Sequence, residues 1–239
     1  MKLRFDDLRL FQATFEIKFE HAWLLWDRSG SLWSAVVRKV PDLEMQHAEP
    51  NRVVFASTGE QESQMTAEPG RLSVVSFNPD KKLQQVTEMV SALLSSAIEM
   101  IGLTQFTRVG LRLAFTKEFP TDQEAANAVL STGLLRVPRH EKLFGISMAP
   151  KAPEYGLHGE DGRNGFNLNL KAETIEAGFR PNFGFGVFFK PMKQTIHRVN
   201  LDVDHYLTGP VLAGQFLVTD WINQALHIVR RDGAALLED

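Results

Sequence analysis

The sequence predicts an α+β fold made of two similar lobes, each a mainly antiparallel sheet covered by a long amphipathic helix. Three observations predict it. Period-two alternation of apolar and polar residues recurs along the chain, as half-buried strands require. Two long stretches, 82–101 and 217–229, instead repeat apolar residues at helical spacing. Each of these stretches closes a group of several strands, the grammar of sheet covered by helix. The 239 residues are read as one compact unit with lobes over 1–133 and 134–239.

Strand character is clearest first in 11–19, where Phe11, Ala13, Phe15, Ile17 and Phe19 alternate with Gln12, Thr14, Glu16 and Lys18. Trp23 and Trp26 follow and are expected to close one end of the core. Leu32, Trp33, Val36, Val37 and Val40 then predict a short helix capped by Ser29 or Ser31 and ended by Pro41. Strands are expected near 44–48, 52–57, 63–67 and 72–77, separated by Glu49-Pro50, Thr58-Gly59 and Pro69-Gly70, and an antiparallel meander is the simplest arrangement. The next helix places Leu83, Val86, Val90, Leu93, Leu94, Ala97, Ile98 and Ile101 on one face, with Gly102 after it.

The strand 106–115 sends Val109, Leu111, Leu113 and Phe115 to one side and Arg108, Gly110, Arg112 and Ala114 to the other. Thr121 and Glu124 have capping-box spacing, so a helix is expected from there to about Thr132, stopped by Gly133. Later strands are expected near 143–148, 154–158, 166–171, 185–190 and 195–204, with a glycine-rich turn over 159–165. The closing helix uses Leu217, Trp221, Ile222, Ala225, Leu226, Ile228 and Val229, with Gly233 past its end. No residue-level internal repeat is evident.

Composition excludes several function classes. Against 26 Lys+Arg stand 29 Asp+Glu without a block of one sign, so no footprint for nucleic acid or an anionic membrane stands out. The absence of cysteine removes thiolate metal sites, disulfides and cysteine nucleophiles. The N-terminus has no apolar core of signal-peptide length and no run is long enough to span a bilayer, so a cytoplasmic protein is expected.

The densest polar cluster is 197–206, which supplies His197, Asp202, Asp204 and His205. In a regular strand His197 and His205 would lie about 27 Å apart and cannot share a metal. Asp202 and Asp204, about 7 Å apart on one face, are the better pair, either for a hydrated cation or as receptors of arginine. Arg108 and Arg112 are the complementary pair, able to fork onto carboxylates; ion pairing with Asp202 or Asp204 as scaffolding is the favoured reading. His158 lies in a segment with two acids and three glycines whose composition suits a hairpin turn. His21, His47, His140 and His227 stand alone, and Gly184-Phe185-Gly186 precedes a strand and so builds no phosphate cradle. No known nucleophile, phosphate-loop or metal motif occurs. The 17 phenylalanines are read as core, with an apolar cavity as the alternative.

The order of these elements resembles a sporadically distributed family of uncharacterised bacterial and archaeal proteins of similar length. The likeness rests on the Arg108-Val109-Gly110-Leu111-Arg112 strand, the Leu201-Asp202-Val203-Asp204 strand and the terminal helix with Trp221 and His227. Leu113-Ala114-Phe115 departs from the Tyr-Ile-Asn run of that pattern. The resemblance implies the fold and carries no activity. The expectation is therefore a non-enzymatic protein-binding or accessory protein linked to bacterial defence or toxin neutralisation, with a protein partner, no cofactor, no metal, and self-association into a homodimer compatible with it. The alternatives are a metal-dependent hydrolase using Asp202 and Asp204 with His158 or His197, and a carrier of an apolar ligand.

Overall fold

The computed structural model describes residues 2–20, 22–49, 51–57, 63–79, 83–135, 151–179 and 192–238. The described strands are β1 (Arg9–Lys18), β2 (Leu43–Glu49), β3 (Arg52–Ser57), β4 (Ser63–Glu68), β5 (Arg71–Phe77), β6 (Gln105–Phe119), β7 (Glu154–Asp161), β8 (Asn164–Phe179) and β9 (Met192–Leu212). The helices are α1 (Leu24–Lys39), α2 (Leu83–Ile101), α3 (Asp122–Leu130) and α4 (Val218–Glu238). The fold is α+β, with all nine strands in one sheet of order β2-β3-β4-β5-β1-β6-β9-β8-β7. Every neighbouring pair is antiparallel. Strand β6 and helix α3, which a division at 133/134 assigns to the first half, pair with or pack against β8 and β9. Strands from both halves thus share one continuous hydrogen-bonded ladder.

One face of the sheet carries the core. Phe15 and Ile17 of β1, Val109, Leu111 and Leu113 of β6, and Val199 and Leu201 of β9 are buried there. They share the core with Leu25, Leu32 and Val36 of α1, Val90, Leu93 and Ala97 of α2, and Ile222, Ala225 and Val229 of α4. Among the described residues no helix is long and apolar enough to cross a membrane.

Several local expectations need correction. The alternation in β1 breaks at a bulge between Leu10 and Gln12, which buries Leu10 and leaves Phe11 half-buried against Phe77 and under Arg198. Helix α1 begins at Leu24, so Ser29 and Ser31 fall inside it and cap nothing. Leu25, Leu32 and Val36 take its inward stripe, and Trp23 and Trp26 stand exposed, edge to face with ring centroids 5.6 Å apart. The turn in the second half is tight, with Gly162 at φ 59° between β7 and β8, so His158 lies within a strand. Gly233 does not end α4. It is buried inside the helix because Phe5 packs on it: a Cβ there would lie 2.6 Å from the Phe5 ring. Trp221 is only half-buried, packing edge-on to Phe15 and stacking on His205. The strands expected at 143–148 and 185–190 lie outside the described residues, as do His21, His140 and Gly184 to Gly186. The Thr121 cap forms, its hydroxyl accepting from the Glu124 amide at 3.2 Å, and Gly133 follows the helix at φ 80°.

Candidate functional site

The face of the sheet opposite the helices carries the polar residues, and the registers of five strands set them in rows. One row runs Glu16, Gly110, Tyr206, Gly165, Glu160 across β1, β6, β9, β8 and β7. The next runs Thr14, Arg112, Asp204, Asn167, His158, and the third Gln12, Ala114, Asp202, Asn169, Gly156. Because side chains alternate strictly, Arg108, Gly110 and Arg112 of β6 and Asp202, Asp204 and Tyr206 of β9 all project to this side.

The glycines shape the first row. A Cβ on Gly110 would lie 2.6 Å from Arg108 Nη1, so the guanidinium rests on the bare backbone of its own strand. From there Arg108 donates to Asp204 Oδ2 at 2.7 Å and Glu16 Oε1 at 3.4 Å, and its guanidinium carbon sits 4.7 Å from the Tyr206 ring centre. The Tyr206 ring in turn covers Gly165, where a Cβ would collide with it, and its hydroxyl donates to Glu160 Oε1 at 2.8 Å. That hydrogen bond, with burial, pushes the Tyr206 hydroxyl above its ordinary pKa. Two side chains thereby lie flat across the middle of the sheet.

Arg112 grips Asp202 bidentately. Its Nε donates to both carboxylate oxygens, at 2.8 and 3.0 Å, and its Nη2 donates to Oδ2. The hydrogen bond to Asp202 raises the pKa of the guanidinium against the effect of burial. Although held, Arg112 leaves 59% of its side chain exposed, while Asp202 beneath it shows 17%. Asn167 donates through Nδ2 to Asp204 at 3.4 Å, which turns its Oδ1 toward His158 Nδ1 at 2.8 Å. The other ring nitrogen of His158, Nε2, faces Glu160 at 3.6 Å.

The structure therefore gathers Arg108, Arg112, Asp202, Asp204 and His158 on one face, where a shallow depression of about 490 Å³ is lined by Arg112, His158, Asn167, Asn169, Asp202 and Asp204 together with Leu157 and Leu168. His197 is not among them. It bonds Thr174 at 2.9 Å near the far end of β9, in the alternation of Val199 and Leu201 and so on the opposite face. Asn167, Tyr206, Gly165 and Glu160 complete the network and were not singled out as partners from the sequence. Their signal is parity alone, Tyr206 lying two residues beyond Asp204 on the same face.

Both oxygens of Asp202 accept from Arg112, and Asp204 Oδ2 is shared by Arg108 and Asn167, so these three oxygens are directed at donors. Among the described residues no three His, Asp or Glu groups converge as metal ligands do. No protein-family model matches the chain, and no curated protein matches it.

Proposed function

We propose that the chain is a non-enzymatic protein-binding or accessory protein that offers the open polar face of its sheet to a protein partner. The observation that carries this reading is Arg112, a guanidinium fixed by Asp202 yet 59% exposed at the centre of a nine-stranded surface. Arginine held in one geometry loses little entropy on contact and is enriched among residues that dominate interfaces. The neighbouring acids are already engaged, which favours recognition over a hydrolase built on Asp202, Asp204 and His158.

Membership of the uncharacterised bacterial and archaeal family belongs to this proposal. Its support is that the two strands bearing the resemblance are sheet neighbours, with Arg112 opposite Asp204 and Leu113 opposite Val203. A cytoplasmic setting suits a chain without cysteine, and a defence or toxin-neutralising operon is where the partner would be sought. We also read the chain as two lobes: outward from the β1–β6 seam, the sheet runs β1, β5, β4 one way and β6, β9, β8 the other.

Affinity capture from the native host tests the reading with wild type, Arg112→Ala, Asn167→Ala and the helix-side variant Asn223→Ala, each shown folded by a thermal melt. A protein retained by wild type and Asn223→Ala and lost from both sheet-face variants is expected. Recovery of no partner, or of one indifferent to the sheet-face changes, would overturn it.

A further inference from the structure

Each half of the chain follows the same order of elements: a strand, a helix, a group of antiparallel strands and a long helix. In the first, α1 lies along the C-terminal half of α2. It is tied there by Arg28, donating to the Met100 carbonyl at 2.8 Å, and Lys39, donating to Ser95 Oγ at 2.8 Å. Leu25, Leu32 and Val36 are buried beneath it. In the second, α3 spans only 9 residues and packs on β8, β9 and β6, making no comparable contact with α4. Among the described residues, no helix occupies the flank of α4 that corresponds to the place of α1.

What remains there is a hollow of about 410 Å³ between α4 and the inner face of β7, β8 and β9, lined by Leu157, Phe166, Leu168, Val203, Ile228 and Leu236. Leu157 is 41% exposed in consequence. The Phe166 ring lies over Gly159, where a Cβ would meet it, which keeps the floor flat. The carboxylates of Asp161 and of Asp232, the latter paired with Arg231 at the rim, also line the hollow, and among the described residues no Lys or Arg lines it.

We propose that this hollow is a docking groove for an amphipathic helix of a protein partner, presenting an apolar stripe flanked by basic residues. The molecule itself supplies the template: α1 fills the corresponding place in the first half with an apolar stripe and is fastened by an arginine and a lysine. Ile228, Asp232 and Leu236 recur every four residues on α4, so the groove wall is a ridge of the kind that helices pack into. The acidic lining selects the sign of the incoming flank. The inference deepens the protein-binding reading but uses the other side of the sheet, so either can fail alone.

The test uses the full chain and two fluorescein-labelled 18-residue helical peptides with the same leucine stripe, one flanked by lysine and arginine, the other by glutamate. Saturable anisotropy for the basic peptide is expected, at least tenfold tighter than for the acidic one. Leu157→Asp and Ile228→Glu, each checked by thermal melt, should weaken it at least tenfold, whereas Arg112→Ala should not. Amide shifts on binding should centre on Leu168, Val203 and Ile228. No saturable binding, equal affinity for both peptides, shifts mapping elsewhere, or displacement of the peptide by millimolar n-octylammonium acting as a small apolar ligand would overturn the proposal.

Discussion

Arg108 and Tyr206 lie flat on the sheet only because Gly110 and Gly165 carry no side chain, and this sets what single substitutions do. In Gly110→Ala the new methyl would meet Arg108 Nη1 at 2.6 Å, lifting the guanidinium off its strand and away from Asp204. Asp204→Ala removes the acceptor instead, leaving Arg108 with Glu16 at 3.4 Å and Asn167 Nδ2 without its acceptor. Each change is expected to cost about 1–3 kcal/mol by urea unfolding, because a charged donor loses a close partner in a partly covered setting. A double variant should lose less than the sum, since both disturb one network. The pairing of these arginines and acids was within reach of the sequence, because strand parity put Arg108 and Arg112 on one side and Asp202 and Asp204 on another strand's polar side. Which arginine meets which acid was not, since that depends on a register between strands about ninety residues apart. The roles of Gly165 and Asn167 were hidden for the same reason: nothing local distinguishes a glycine that receives a tyrosine ring from one that makes a turn.

Helices and strands were legible where their own periodicity decides them, and obscured where a tertiary contact intervenes. Helix α2 follows its stripe from Leu83 to Ile101, and Leu93 within it is 2% exposed. Leu93→Ala is accordingly expected to destabilise the fold by about 2–5 kcal/mol, measured by chemical denaturation. Helix α4 runs past Gly233 because the glycine serves a close approach of Phe5, a contact with a residue more than two hundred positions away that no local rule anticipates. Gly233→Val should lower the melting temperature through that clash, and pairing it with Phe5→Ala should restore part of the loss. Improved stability in Gly233→Val alone would show that the close approach is unimportant. At β1 the bulge after Leu10 reverses the face of Phe11, so perfect alternation in the sequence misplaces one aromatic at the strand's start.

At the scale of the whole molecule, four titrating groups, Glu173, Asp7, Asp232 and His205, act on stability in one direction. At Glu173 burial raises the pKa, but hydrogen bonds from Lys171 and Arg198 outweigh it and hold the carboxyl below its ordinary 4.5. Asp7 is lowered chiefly by its hydrogen bond from Lys117 and Asp232 by that from Arg231. Burial holds His205 below its ordinary 6.5 against the pull of Asp204 and Asp232. Every one of these groups binds its proton less readily folded than unfolded, so each contributes stability that is complete above the unfolded pKa and lost as pH falls through the folded value. Stability measured by urea unfolding should therefore begin to decline below about pH 6.5 and fall more steeply in the carboxylate range. His205→Phe should flatten the first part of the decline and Glu173→Gln part of the second; a decline on going alkaline from neutral pH in place of these would contradict the assignment.

Strands β1 and β6 meet through backbone hydrogen bonds along nearly the full length of the shorter strand, and the connection between α2 and β6 is only Gly102 to Thr104. Cutting that connector would sever one covalent link while leaving the ladder intact, so a chain nicked there should stay together on a sizing column in native buffer. Once parted by denaturant, the fragments would each bear a raw central margin whose natural complement is the other, and they should find one another again when the denaturant is withdrawn.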